Sequence, residues 1–508
     1  MSIESQLPTG LQTPVEERLE AARKDQVVRR LWDRDGTLWA PEGTPEVTDR
    51  LGWLDIAERL AADVDDLRAF GAEVRDAGIT DAVLLGMGGS SLGPEVLRRS
   101  YGEGRIRLHV LDSTHPDAIR ATRDALDLDK TLFIVSSKSG GTIETMSQFK
   151  YFHSLQGDGA HFVAVTDPGT SLAKLGAEHG FRRVFENDPN IGGRYSVLSY
   201  FGLVPAAIAG YDVGAVIATA REAMEECRRD EDNPGLALGG ALGELAQQGR
   251  DKLTFIVDDP LESFGLWAEQ LVAESTGKEG RGILPIADEP RLPAAEYGPD
   301  RVFVHVSTGD VEVTGKVGEL SAAGHPVFTI DASGPDDLGR VFFLSEFATA
   351  VAGWALGINP FDQPNVQEAK DNTKRVLEDG AEELDPGDPE ALIGALEPPR
   401  YLAIMGYLPY EGAVEAGAAR LRERVVRRHH VATTYGYGPR FLHSTGQFHK
   451  GGPAVGAFLQ IVDEPEEDLE VPGEPYTFGI LIRAQADGDL QTLRSHGLDA
   501  VRAGREIL

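Results

Sequence analysis

One cysteine in 508 residues, Cys227, excludes an intrachain disulfide and a cysteine-built metal site. Long apolar runs are missing too: no stretch of about 20 apolar residues is available to span a bilayer, and MSIESQLPTG at the start lacks a secretory signal pattern. A cytoplasmic location is the expectation. Basic residues are scarce, with 49 Lys and Arg against 82 Asp and Glu and a formal net charge of −33. A field of that sign opposes nucleic acid and anionic membranes, which need a net attraction to phosphate. It does not exclude a small anionic metabolite. Salt screens distant charges over about 10 Å, so a local cluster of amides and cations decides. The acidic run DEPEEDLE (463–470) reads as solvated loop.

What is present is patterned. Residues 1–80 read as a helical segment, with apolar residues at three and four spacing in EERLEAARKDQVVRRLW and IAERLAADVDDLRAFGAEVRDAG. Short apolar runs then alternate with helices: AVLLG, RLHVLD, TLFIVS, HFVAVT and RVFEN. After a helical stretch near 206–250 a second series follows: KLTFIVD, RVFVHVS, PVFTID and YLAIMGYL. This rhythm predicts an α/β chain with two tandem doubly wound parallel sheets, helices covering both faces. The expected units are 81–205, which binds phosphate, and 206–400, with 401–508 completing the second. A linker is expected in the Pro, Gly and acid-rich 379–400.

In such sheets ligands sit beyond the carboxyl ends of the strands, so the post-strand loops carry the chemistry. GMGGSSLGPEVL (86–97) follows AVLL and offers close backbone approach through Gly88, Gly89 and Ser90. Its GxGxxG match fails at Ser91, which disfavours a dinucleotide. SSKSGGTIET (136–145) follows TLFIV. Ser137, Ser139 and Thr142 supply hydroxyls and Lys138 a point charge, suited to a phosphate monoester. In NIGGRYSVLSYFGL (190–203) Arg194 stands between a glycine pair and a helix, either as a surface ion pair or facing an anion. In LESFGLWAEQLVAESTGK (261–278) Gln270 and Glu274 are four apart on one helix face, and Glu274 is either a general base or an exposed helix glutamate. INPFDQPNVQEAK (358–370) presents Gln363 in a loop and Lys370 two turns on, either solvated or positioned for proton transfer.

GMGGSSLGP, SSKSGGTIET, GGRYS, EQLVAESTGK and FDQPNVQEAK, in that order, resemble the phosphoglucose isomerase family, built from two sugar-isomerase domains. The likeness extends to the isomerase half of actinobacterial transaldolase and phosphoglucose isomerase fusions through PRFLHSTGQFHKGGP (439–453). No transaldolase-sized region precedes the isomerase-like part, so that second activity is not expected. The resemblance implies that Ser137, Lys138, Ser139 and Thr142 hold the substrate phosphate beside Gly88, Gly89 and Ser90. It makes Glu274 the base, Gln270 its neighbour, Arg194 the arginine at the reacting carbons, Gln363 a phosphate-side contact and Lys370 the ring-opening lysine. The family's GTNGQH segment is absent after Glu274. GDVEVTGKVGELSAAGH stands there, and His305 and His325 read as core or edge residues. His443 is the first choice to replace the missing histidine and His449 the second.

Aldose to ketose conversion removes a proton from C2 and returns it to C1, which one carboxylate can do. A fixed cation tolerates the enediolate between the two steps. The scheme requires no cofactor and no metal, and His429, His430, His443 and His449 lack a dependable ligand spacing. A homodimer is implied by the resemblance. The alternatives are an isomerase of another phosphosugar such as mannose 6-phosphate, or a non-catalytic sugar-phosphate-binding protein.

Overall fold

The computed structural model describes residues 3–380 and 384–508, with only the backbone of 366, 367, 369, 370 and 379. The predicted linker lies partly outside these described residues, at 381–383. Five short, mostly apolar runs form the first sheet: Asp81–Leu85, Arg107–Leu111, Thr131–Ser136, Phe162–Thr166 and Arg183–Glu186. Every pairing is parallel. The order in space is second, first, third, fourth, fifth. TLFIVS is buried along its whole length, as a central strand covered on both faces must be.

Lys252–Val257, Leu284–Ile286, Arg301–Ser307 and Val327–Asp331 form a second parallel sheet in the order second, first, third, fourth. The chain start, Glu4–Gln6, adds an antiparallel edge strand on Val327–Asp331. Nothing in three polar residues signalled that strand. The two sheets repeat one topology, so the tandem doubly wound architecture holds.

YLAIMGYL departs from expectation. Tyr401–Tyr407 does not extend the second sheet but lies inside a third one, between Ala432–Tyr437 and Gly456–Val462, with Asp499–Ala503 beyond. This sheet is also all parallel and again runs second, first, third, fourth. The physical reason is local. The first three strands are followed in turn by the helices Gly412–His429, Gly446–Gly451 and Phe478–Ser495, each of which returns the chain to the same sheet. Among the described residues no helix is long and apolar enough to cross a membrane.

The large core cluster joins the N-terminal helices to the first two sheets, with Trp53 stacked on Tyr195 at 5.1 Å between ring centres. Cys227 is fully buried there, and burial pushes its thiol up. In the first sheet the strand order reverses between Asp81–Leu85 and Thr131–Ser136. Loops 86–91 and 137–142 therefore flank the switch point, where a ligand crevice is expected.

Candidate active site

Strand Thr131–Ser136 is followed by Ser137, whose hydroxyl lies 2.9 Å from that of Thr142. Thr142 precedes helix Ile143–Gln156 and makes no side-chain cap. The first amides of that helix are thus left for an acceptor, at the positive end of its dipole. Ser139, Gly141 and Thr142 line a cavity of about 270 Å³ together with His443, Gln485 and Lys374. Lys138 does not bring a free charge to it, because its ammonium is held by the Asp167 carboxylate and the Pro189 carbonyl.

The other switch-point loop touches two further segments. Gly88 has φ +55, and a Cβ there would lie 2.7 Å from the His443 carbonyl oxygen. A Cβ on Gly89 would fall 2.0 Å from the carbonyl oxygen of Gly193. The glycines bring 86–91 against the Arg194 segment and the 440–443 turn, and Ser90 is buried beside them. Gly89→Ala is expected to push these loops apart, lowering both the melting temperature and any turnover. Wild-type melting and activity in that variant would refute the close approach.

Glu274 stands near the end of Phe264–Thr276, a helix buried almost all round, which is why its polar residues face other protein groups. Gln270 Nε2 donates to Glu274 Oε2 at 3.1 Å and to the His443 carbonyl at 2.8 Å. Arg194, 1% exposed, lies 3.7 Å from Glu274 Oε1. Its guanidinium donates to Ser275 Oγ, Gln363 Oε1 and the carbonyls of Pro360 and Asp362, at 2.6–2.9 Å. Of its two sequence readings, the surface ion pair is excluded. Gln363, expected on the phosphate side, is held at the Arg194 end.

Between the two ends sits His443. Its Nε2 is 2.9 Å from Glu144 Oε1, which also accepts from Gln485 Nε2 at 2.7 Å. A carboxylate only accepts, so the Nε2 proton faces Glu144 and Nδ1 is the ring nitrogen left for a substrate. One connected chain therefore runs from Glu144, two residues past Thr142, through His443 and Gln270 to Glu274 and Arg194.

His449 does not join it. Its ring packs on Tyr401, Phe441 and Phe458, both nitrogens lack a partner among the described residues, and burial followed by the Lys450 charge pushes it down to about 3. The unfolded chain takes up a proton below about pH 6.5 that the folded chain refuses until about pH 3. Folding stability is lost across that window, with a limiting slope of about 1.4 kcal/mol per pH unit. His449→Leu is expected to flatten the fall of melting temperature from pH 6.5 downward; an unchanged slope would remove this account. His305 pairs with Asp258 in the core, and His325 is buried against Phe303, as expected. Lys370 falls in helix Pro364–Asp379, but its side chain lies outside the described residues. Among the described residues no group of three or more His, Cys, Asp or Glu is placed to hold a metal.

Sequence reasoning passed over Glu144, Ser275, Lys278 and Gln485. Lys278 donates to the Asp362 carbonyl and carboxylate at 2.7 and 2.6 Å, and burial, then the Arg194 charge, lowers it to about 8. Its place four residues after Glu274 was a usable signal. Gln485, 341 positions from Glu144, gave none.

The phosphoglucose isomerase family model matches residues 55–281. A glucose-6-phosphate isomerase of Thermus thermophilus is 33% identical over 393 residues, covering 67% of this chain and 92% of that protein. The chain belongs to the phosphoglucose isomerase family. Its relative from Rubrobacter xylanophilus, also a glucose-6-phosphate isomerase, is 32% identical over 58% of this chain and 82% of its own. Among solved structures, a hypothetical protein of Thermus thermophilus superposes with TM-score 0.62 and 26% identity, and its whole chain is covered by 74% of this one. A glucose-6-phosphate isomerase of Chlamydia trachomatis shares the fold at TM-score 0.62 and 19% identity, over 74% of this chain and 87% of its own.

Proposed function

We propose that the chain interconverts glucose 6-phosphate and fructose 6-phosphate through a cis-enediolate. The observation that carries this reading is the buried Glu274 carboxylate 3.7 Å from the Arg194 guanidinium, in a network that continues to Glu144, two residues past Thr142. Family membership supports the substrate class. Glu274 takes the C2 proton and returns it to C1, and Arg194 stabilises the enediolate oxygens. Ser139, Thr142 and the amides of helix Ile143–Gln156 hold the phosphate, fixing the unreactive end of the sugar.

Ring opening of the cyclic substrate falls to His443, oriented by Glu144, with Lys370 as its proton-transfer partner. His443→Ala is expected to slow turnover of cyclic glucose 6-phosphate by about a hundredfold, within the range of one general acid or base. Solvent exchange at C1 of fructose 6-phosphate, read in the open-chain form, should fall far less. Equal losses in both would remove His443 from ring opening.

A coupled assay of the purified chain with fructose 6-phosphate tests the whole reading. Steady formation of glucose 6-phosphate is expected, and none would overturn it. A cytoplasmic homodimer in glycolysis and gluconeogenesis completes the proposal; light scattering that gives the mass of one chain would remove the dimer.

A further inference from the structure

The third sheet has its own crevice. Tyr410 lies in the loop after Tyr401–Tyr407. Tyr437 ends the neighbouring strand, and Arg440 follows three residues on. These groups line a cavity of about 460 Å³, bounded also by helices Leu92–Tyr101, Phe264–Thr276 and Gly412–His429. It contains none of the residues assigned above to the isomerase site.

The cavity gathers four arginines, Arg98, Arg99, Arg422 and Arg440. Arg98 and Arg99 are already occupied by Glu95. Arg422 spends its donors on the carbonyls of Ala287, Asp288 and Thr433 and on the Thr433 hydroxyl, and among the described residues no carboxylate is bonded to it. Arg440 is different. Among the described residues its guanidinium donates no hydrogen bond, and its one ion pair, with Asp112 Oδ2, spans 3.8 Å. Asp112 is itself taken up by the hydroxyls of Tyr410 and Ser91, at 2.5 and 3.1 Å. Burial pushes the Glu269 carboxyl up to about 8, so that acid adds no negative charge to the cavity wall at neutral pH. A planar fork with free donors in an enclosed space matches a phosphate or carboxylate. Asp288 and Glu415, exposed on the same cavity, can accept from ligand hydroxyls.

We infer that this cavity is a second binding site, for a small hydroxylated phosphate or carboxylate metabolite held by Arg440. Three of its boundary segments also reach the candidate active site. Arg440 and His443 share one turn, Glu269 adjoins Gln270, and Ser91 closes the loop that holds Gly88 and Gly89. Occupancy therefore regulates turnover through the 440–443 turn; this part rests on the isomerase reading.

Calorimetric titration with inorganic phosphate and, separately, with citrate tests the site and distinguishes the two anion chemistries. In Ser139→Ala/Thr142→Val, which weakens the first anion site, at least one probe should still bind once per chain. Adding Arg440→Ala, or Arg440→Gln should the alanine variant not fold, is expected to weaken it at least tenfold. Binding of neither probe to the double variant, or equal affinity with and without Arg440, overturns the site. Because binding is read as heat, an inactive isomerase leaves this test standing. For the coupling, the bound anion should change kcat of the wild type at least twofold but not that of Arg440→Gln. Competition at the substrate site changes KM alone, so an unchanged kcat overturns the coupling.

Discussion

Glu274→Gln is expected to reduce kcat by about a thousandfold, inside the range for loss of a general acid and base. The amide keeps the size of the carboxylate and a carbonyl oxygen toward Gln270 Nε2, 3.1 Å away in the native chain. It cannot accept the C2 proton. KM should therefore stay within about threefold, because the hydroxyl loop that anchors the phosphate is untouched. Melting should change little, since a neutral side chain next to the Arg194 guanidinium replaces an ion pair of 3.7 Å with no hydrogen bond between the two groups. Turnover in deuterated water separates proton transfer from binding. The wild type should carry solvent deuterium into the C1 or C2 position, and the variant should not. A variant that keeps more than a tenth of wild-type kcat would sink the proton-transfer role, whatever the fold.

The sheets were legible where pattern and burial agree. TLFIVS and RVFVHVS are buried throughout and read as central strands. The third sheet was misassigned because YLAIMGYL, as an apolar run of seven or eight residues, carries no record of which sheet it enters. The edge strands of its sheet, Ala432–Tyr437 and Asp499–Ala503, mix glycine, tyrosine and charge, so their strand character comes from pairing and helix cover, not from composition. Of the site, the side chains set by local spacing were accessible. Gln270 and Glu274 share a helix face, and Arg194 follows two glycines. The contacts that orient His443 were not, because Glu144 meets it across 299 positions of chain and is itself held by Gln485, 341 positions away. The choice between His443 and His449 turned on environment. Two histidines six residues apart differ only in that one turn ends at the loop crevice while the next helix points its ring into an aromatic core.

Arg194→Ala tests the other half of the chemistry and is expected to lower kcat/KM by about a thousandfold, at the upper end for one oxyanion-stabilising group. Two effects combine in that loss. The enediolate loses its fixed cation, which in a closed site needs no solvent reorganisation to act. The loop of Pro360 and Asp362 loses the donor that satisfies both carbonyls, each bond being worth about 1 kcal/mol net. The second effect is structural and should lower the melting temperature by several degrees, partly offset by Lys278, which also holds the Asp362 carbonyl. Arg194→Lys separates the two. A lysine keeps the charge near Glu274 but has no planar fork to reach Ser275, Gln363 and two carbonyls together, so the loop remains loosened. Its kcat should recover at least tenfold over the alanine variant while its melting temperature stays close to that variant's. Should the lysine restore stability but not kcat, Arg194 would be a scaffold for the 360–363 loop, and charge stabilisation of the enediolate would have to come from another group.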